Sequence, residues 1–286
     1  MRTTWGSATD RGLSRDTNED ALLASAPVFL VADGMGGEAG GAEASRVAVE
    51  EFARLVGQEV ASPDEIHACF RRTGERLVAE LAGTRAGTTV AGVAVTSVGA
   101  SAYWLVFNIG DSRVYRWVGG VLDQITVDHS VVQELVDSGE LAAHLADGHP
   151  KRHVITRALG TTGESEPDYW MIPAGEHDRL LICTDGLSRE LGPGSIADAL
   201  RQYRSPQDAA GGLVSRAIAA GGRDNVSVVV VDVASGADDT DVTGPSRHDR
   251  VAPRRAATWG KTPGPAVLAR RTRERAIDDH PRVHAG

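Results

Sequence analysis

Residues 88–117 read TTVAGVAVTSVGASAYWLVFNIGDSRVYRW. Apolar and β-branched side chains fill three runs, 88–98, 102–109 and 113–117, with only short glycine-containing segments between them. Such runs favour strands that pair antiparallel as hairpins. Further strand-like runs lie at 28–32, 180–184 and 226–233.

The segments between these strands carry helix signals. Ser62, Pro63 and Glu65 supply an N-cap, a first-turn proline and a capping-box acid, after which Ile66, Phe70, Leu77 and Leu81 recur on one face until Gly83. A second helix is expected from near Gly41 to Gly57, with Ala44, Ala48, Phe52 and Val56 at four-residue spacing. A third follows Ser205 and Pro206, carries Leu213, Ala217 and Ile218, and stops at Gly221. A shorter one, capped by Asp128, presents Val131, Val132, Leu135 and Val136 before Gly139. Helices fall in pairs and strands run together, which predicts an α+β layered domain rather than a regularly alternating parallel sheet. There is no internal repeat.

The 286 residues are 41% apolar and 24% charged, which is ordinary globular usage and allows a sizeable core. No apolar run approaches the roughly 18 residues of a membrane span. Residues 1–12 lack the apolar stretch of a secretory signal, so cytoplasmic residence is the expectation. Cys69 and Cys183 sit inside apolar patterns and read as buried free thiols. A net charge of −9 argues against a nucleic-acid partner, because phosphate backbones demand a basic face. Composition changes after Ser235. Residues 236–286 hold ten Lys/Arg against seven Asp/Glu, many Pro and Gly, and no sustained period, and are expected to be a disordered basic tail. Residues 1–235, the expected folded domain, therefore carry about −12.

That acidity has a pattern. Asp33-Gly34, Gly110-Asp111-Ser112, Asp185-Gly186 and Asp224-Asn225 each place a carboxylate beside a strand end and a small turn residue. One Asp-Gly pair is ordinary turn chemistry. A sheet that gathered all four would crowd their charges. Two unit charges about 4 Å apart at an effective dielectric near 20 repel by roughly 4 kcal/mol, so such a cluster must protonate, splay or capture cations. Oxygen-only donors suit magnesium or manganese better than zinc.

Taken in order, Arg15-Asp-Thr-Asn-Glu19-Asp20, Asp33-Gly34-Met35-Gly36-Gly37, Gly87-Thr88-Thr89, Gly110-Asp111-Ser112-Arg113, Thr184-Asp185-Gly186 and Asp224-Asn225 resemble the metal-dependent protein phosphatases of type 2C, most closely their bacterial branch. The resemblance spans about residues 5 to 233. It implies a four-layer α-β-β-α sandwich, two antiparallel sheets flanked by paired helices. It also implies hydrolysis of phosphoserine and phosphothreonine by a metal-bridging hydroxide, with no phosphoenzyme. By similarity, Asp33 bridges two Mn2+ or Mg2+ ions, the Gly34 carbonyl serves one, and Asp185 and Asp224 serve the other. Glu19 and Asp20 hold metal-bound waters, Asp111 shares a third, weaker ion with Asp185, and Arg15 grips the phosphate. The implied partners are phosphorylated proteins, including serine/threonine kinases and their substrates, met by a monomer.

Met35 stands where many relatives place a histidine that protonates the leaving alkoxide. His129, His149, His153 or a metal-bound water are the open alternatives. The stretch resembling the family's mobile flap, about 144–160, carries Lys151, Arg152 and Arg157, which could recruit a phosphorylated segment. His153 replaces a small hydroxyl residue expected there. Two other functions fit the same residues: hydrolysis of other phosphomonoesters, and a catalytically dead relative that binds phosphoproteins. The intact set of aspartates opposes the second.

Overall fold

A computed structural model describes residues 1–36, 40–161 and 166–234; the expected tail and Gly37 lie outside the described residues. In chain order the elements are β1 (Thr3–Asp10), β2 (Asp20–Ser25), β3 (Val28–Met35), α1 (Gly40–Ala53), α2 (Pro63–Glu80), β4 (Gly87–Thr88), β5 (Val90–Val98), β6 (Ser101–Ile109), β7 (Arg113–Val118) and β8 (Val121–Gln124). Then come α3 (Val131–Asp137), a 3-10 turn (Ala143–Gly148), β9 (Asp168–Pro173), β10 (Arg179–Cys183), α4 (Asp185–Glu190), α5 (Pro193–Gln202), α6 (Pro206–Ala220) and β11 (Val226–Val233).

The strands form two antiparallel sheets. One runs β1-β11-β10-β7-β8; the other runs β2-β3-β5-β6-β9, with β4 beside β3. Each sheet is covered on both faces, which is why several strands read as near-continuous apolar runs rather than as alternation. In β11, Val226, Val228 and Val230 pack under α4, α5 and α6, while Val229 and Val231 enter the space between the sheets. Likewise Val28, Leu30 and Ala32 of β3 meet α1 and α2, and Phe29 and Val31 point to the other sheet. The period of two thus divides each valine-rich strand between two cores. The result is the four-layer α-β-β-α arrangement.

The helix signals decide local structure as expected in α2. The Ser62 amide donates to Glu65 Oε2 (2.8 Å), the Glu65 amide donates to Ser62 Oγ (3.3 Å), and Ile66, Phe70 and Leu77 are buried. Between α1 and α2 the buried Glu51 carboxylate receives Arg72 (2.8 Å) and Arg76 (3.1 Å), so its charge is matched where it is desolvated. Both cysteines are buried and free, and burial pushes the thiols of Cys69 and Cys183 up to about 11 and about 12.

Three expectations fail for local reasons. First, α1 ends at Ala53; turn bonds from Leu55 to Phe52 and from Val56 to Ala53 shift the phase, so Leu55 is buried and Val56 exposed. Second, α3 is capped by Ser130, whose hydroxyl accepts the Gln133 amide at 3.2 Å, because Asp128 is taken by a forked pair with Arg113. Third, β6 and β7 form no hairpin. Gly110, at φ 107°, carries the chain from one sheet to the other, and a Cβ there would fall 2.5 Å from Thr89 Cγ2.

Candidate active site

That crossing places Asp111 at one end of the sandwich, where the other acidic residues also arrive. Asp20 and Asp33 face each other in register across β2 and β3. Asp185 opens α4 just past β10, and Asp224 precedes β11 on the opposite sheet from Asp33. Hydroxyls tie the two sheets at this point. Thr184 donates to Asp20 Oδ2 at 2.9 Å, and Thr89 Oγ1 accepts the Asp33 amide at 3.1 Å while lying 2.9 Å from Ser112 Oγ beside Asp111.

The proximity is written into the acid strengths. Asp33 is pushed well above the usual carboxylate range by loss of solvent in its recess, then by the charges of Asp185, Asp20, Asp111 and Asp224. Burial likewise pushes Asp185 well above that range, with Asp111 next among the causes. Burial raises Asp20 to about 7 against the hydroxyl bonds that lower it, and raises Asp111 against the charge of Arg189. Asp20 Oδ1, Asp111 Oδ1 and Asp185 Oδ1 are buried with no hydrogen-bond partner among the described residues. Crowded carboxylates with orphaned oxygens are the donor set that hard divalent cations satisfy.

Among the described residues, no three acidic, histidine or cysteine side chains are drawn together tightly enough to cage an ion as they stand. Two guanidinium groups stand among them instead. Arg189 pairs with Asp185, with Asp111 Oδ2 at 3.4 Å and with Asp224 Oδ2 at 3.2 Å. Arg15, half exposed, reaches the same Asp224 with Nε to Oδ1 at 2.9 Å and a terminal nitrogen to Oδ2 at 2.9 Å.

The backbone around the carboxylates is packed without slack. A Cβ on Gly34 would fall 2.1 Å from the Gly41 carbonyl and 2.6 Å from that of Glu19, and one on Gly186 would fall 2.0 Å from the Asn225 carbonyl. Glycines at positions of this kind let strand, loop and helix start meet at the rim. Glu19 lies against the start of α1: its carboxylate borders Gly41 in the first turn, and its carbonyl accepts the Ser45 hydroxyl at 2.6 Å. Asn225 fixes the loop that bears Arg15: its amide donates to the carbonyls of Arg11 and Thr17, both at 2.9 Å, and its Oδ1 accepts the Glu19 amide at 2.8 Å.

Of the three histidines, His129 is buried; its Nδ1 accepts the Gly110 amide at 3.1 Å and its Nε2 faces Asp168 at 3.4 Å. It holds the crossing turn. His149 Nδ1 accepts the Lys151 amide at 3.1 Å. His153 alone among them lines the cleft of about 620 Å³ that also borders Asp111, Asp185, Asp224, Arg152 and Arg189. Its imidazole is held below the usual histidine range by burial and by Arg189 and Arg152. Arg157 turns to Asp168 at 3.4 Å, whereas Lys151 and Arg152 are exposed.

Sequence reasoning missed Arg189 and the bracing roles of Asn225, Thr184 and Thr89. Arg189 stands four residues after Asp185, the spacing that puts two side chains on one helical face, so α4 would have exposed it had that short helix been read.

The profile of the family described as Protein phosphatase 2C matches residues 13–219. The serine/threonine phosphatase stp of Listeria welshimeri is 34% identical over 239 residues, which cover 78% of this chain and 93% of that protein. Among solved structures, the Mycobacterium tuberculosis serine/threonine phosphatase PstP/Ppp superposes with a TM-score of 0.74 at 37% identity, over 81% of this chain and 98% of that one. The catalytic domain of the serine/threonine protein phosphatase PstP, solved in complex with two manganese ions, gives 0.73 at 34% identity, over 82% and 99% of the two chains.

Proposed function

Because this chain belongs to the protein phosphatase 2C family, we propose that it is a metal-dependent protein serine/threonine phosphatase acting on phosphoserine and phosphothreonine. The observation that carries this reading is the convergence, from both sheets, of crowded aspartates with orphaned oxygens. Asp33, the Gly34 carbonyl, Asp185 and Asp224 are the residues to hold two Mn2+ or Mg2+ ions, as the two-manganese complex of a relative supports. Asp111, beside Asp185, is the position for which the family resemblance implies a third and weaker ion; the reading proposed is the two-ion one. When bound, the ions supply an activated water for direct attack on phosphorus and positive charge for the in-line displacement.

The chain's own side chains do the rest. Glu19 and Asp20 stand at the edge of the set and orient solvent there. Arg15 can fork two phosphate oxygens once it leaves Asp224, and exposed Arg152 gives the cleft a positive lip for a phosphorylated segment. His153 lines the cleft, so this imidazole or a solvent molecule beside it supplies the proton for the leaving alkoxide. Loss of the Arg15 fork should cost roughly 1.5–3 kcal/mol of charged hydrogen bonding, ~10- to 150-fold in kcat/KM, mostly through KM. Steady-state kinetics of Arg15→Ala on a phosphothreonine peptide check this, and an unchanged KM would remove Arg15 from phosphate binding.

We place this activity in the cytoplasm, exerted by a monomer on phosphorylated proteins, including serine/threonine kinases and their substrates. Among the described residues no helix is long and apolar enough to cross a membrane. The catalytic unit is assigned to residues 1–235, with 236–286 as an appendage. Phosphate release from a phosphothreonine peptide, with and without manganese, tests the reading on the full chain and on residues 1–235. Both should turn over only with manganese and prefer the peptide to small metabolite phosphates; metal-independent or absent turnover would overturn it.

A further inference from the structure

Arg189 is poorly placed for an ordinary surface ion pair. It leaves α4 four residues after Asp185 and turns back onto three of the carboxylates assigned to metal binding. Its side chain keeps 30% of its accessible surface, while Asp111 and Asp185 keep 8% each. The contacts it makes run to the Oδ2 atoms, and the Oδ1 atoms of Asp111 and Asp185 remain buried without partners. One guanidinium therefore spans the Asp111–Asp185 pair from the cleft side and leaves inward oxygens for other cations.

We propose that Arg189 is a resident cation of this centre: its guanidinium takes the place of an ion between Asp111 and Asp185, so the chain takes up two divalent ions and not three. This rests on the two-ion reading above. The physical grounds are charge and tethering. A guanidinium keeps its charge at any working pH, and here one terminal nitrogen, Nη2, faces the Oδ2 atoms of both Asp111 and Asp185, as a cation between them would. Fixed to α4, it is held beside both carboxylates already, whereas a free ion must give up its translational freedom and hydration to displace it. Two ions in the inner set, by contrast, need Arg189 to give up only Asp224.

The test counts ions rather than turnover. Manganese is titrated into the chelated full-length protein, to millimolar excess, with free Mn2+ followed by its electron paramagnetic resonance signal. Wild type and Arg189→Lys should bind two ions, and Arg189→Ala should gain one more that disappears in Arg189→Ala combined with Asp111→Ala. Arg189→Gln gives the same loss of charge with the bulk retained, should the alanine variant not fold. A third, Asp111-dependent ion in wild type, or a count that stays at two in both Arg189→Ala and Arg189→Gln, would overturn the proposal. Fewer than two ions in wild type would sink the two-ion reading itself.

Discussion

Asp185→Asn is expected to lose at least about 1000-fold in kcat/KM on an aryl phosphate while remaining folded. Residues that merely orient metal ligands cost 10–100-fold when lost, so a direct ligand should exceed that range. The substitution keeps volume and removes one charge from a position wedged between Asp33, Asp111 and Arg189. Circular dichroism should match wild type. The chelated variant should also melt higher than the chelated parent, because a carboxylate held far above its usual range is costly at neutral pH. Rates within about tenfold of wild type at saturating manganese would end the assignment of Asp185 as a ligand.

The second large effect is on stability. In the metal-free protein Asp20, Asp33, Asp111 and Asp185 all titrate higher than an unfolded chain's aspartates. Between about pH 4 and each raised value the folded state binds more protons than the unfolded one, so stability falls as pH rises through that window. Asp20, moved from 3.8 to about 7, alone represents up to roughly 4 kcal/mol. Because Asp20 titrates together with the neighbouring carboxylates, about half of that is counted, about 2 kcal/mol, or ~4–8 °C in Tm between about pH 4.5 and 7.5. The carboxylates held low by partners, Glu43, Glu51 and Glu65, act below this window. His153, held low, opposes the trend as a single group. Manganese should reverse the fall. A chelated protein whose Tm is flat or rises over that range would contradict the electrostatic account.

Much of the fold was legible. Where one signal dominated, as in the capping box at Ser62 and Glu65 or the valines of β11, the element formed as read. The half-buried β1 and β2 carry weak alternation with polar residues such as Thr3, Ser7 and Asp20, and give little strand signal in the sequence. α4 spans six residues and is too short for a periodic pattern. Assignment of β6 and β7 to different sheets depended on Gly110 and on burial of both sheet faces, neither of which is encoded in local spacing. Of the site, the aspartates were visible because each sits beside a small turn residue. Arg189 was invisible because its meaning depends on what surrounds it in space.

The hydroxyl of Thr184 grips Asp20 across the gap between the layers, and Asn225 clasps the loop bearing Arg15 and Glu19. The candidate active site is thus a seam stitched from two leaves. Any loosening that lets one leaf slide over the other must misalign the carboxylates before either leaf frays. Catalytic competence should therefore fade ahead of bulk secondary structure on heating, which makes turnover the more sensitive gauge of how well the leaves are aligned.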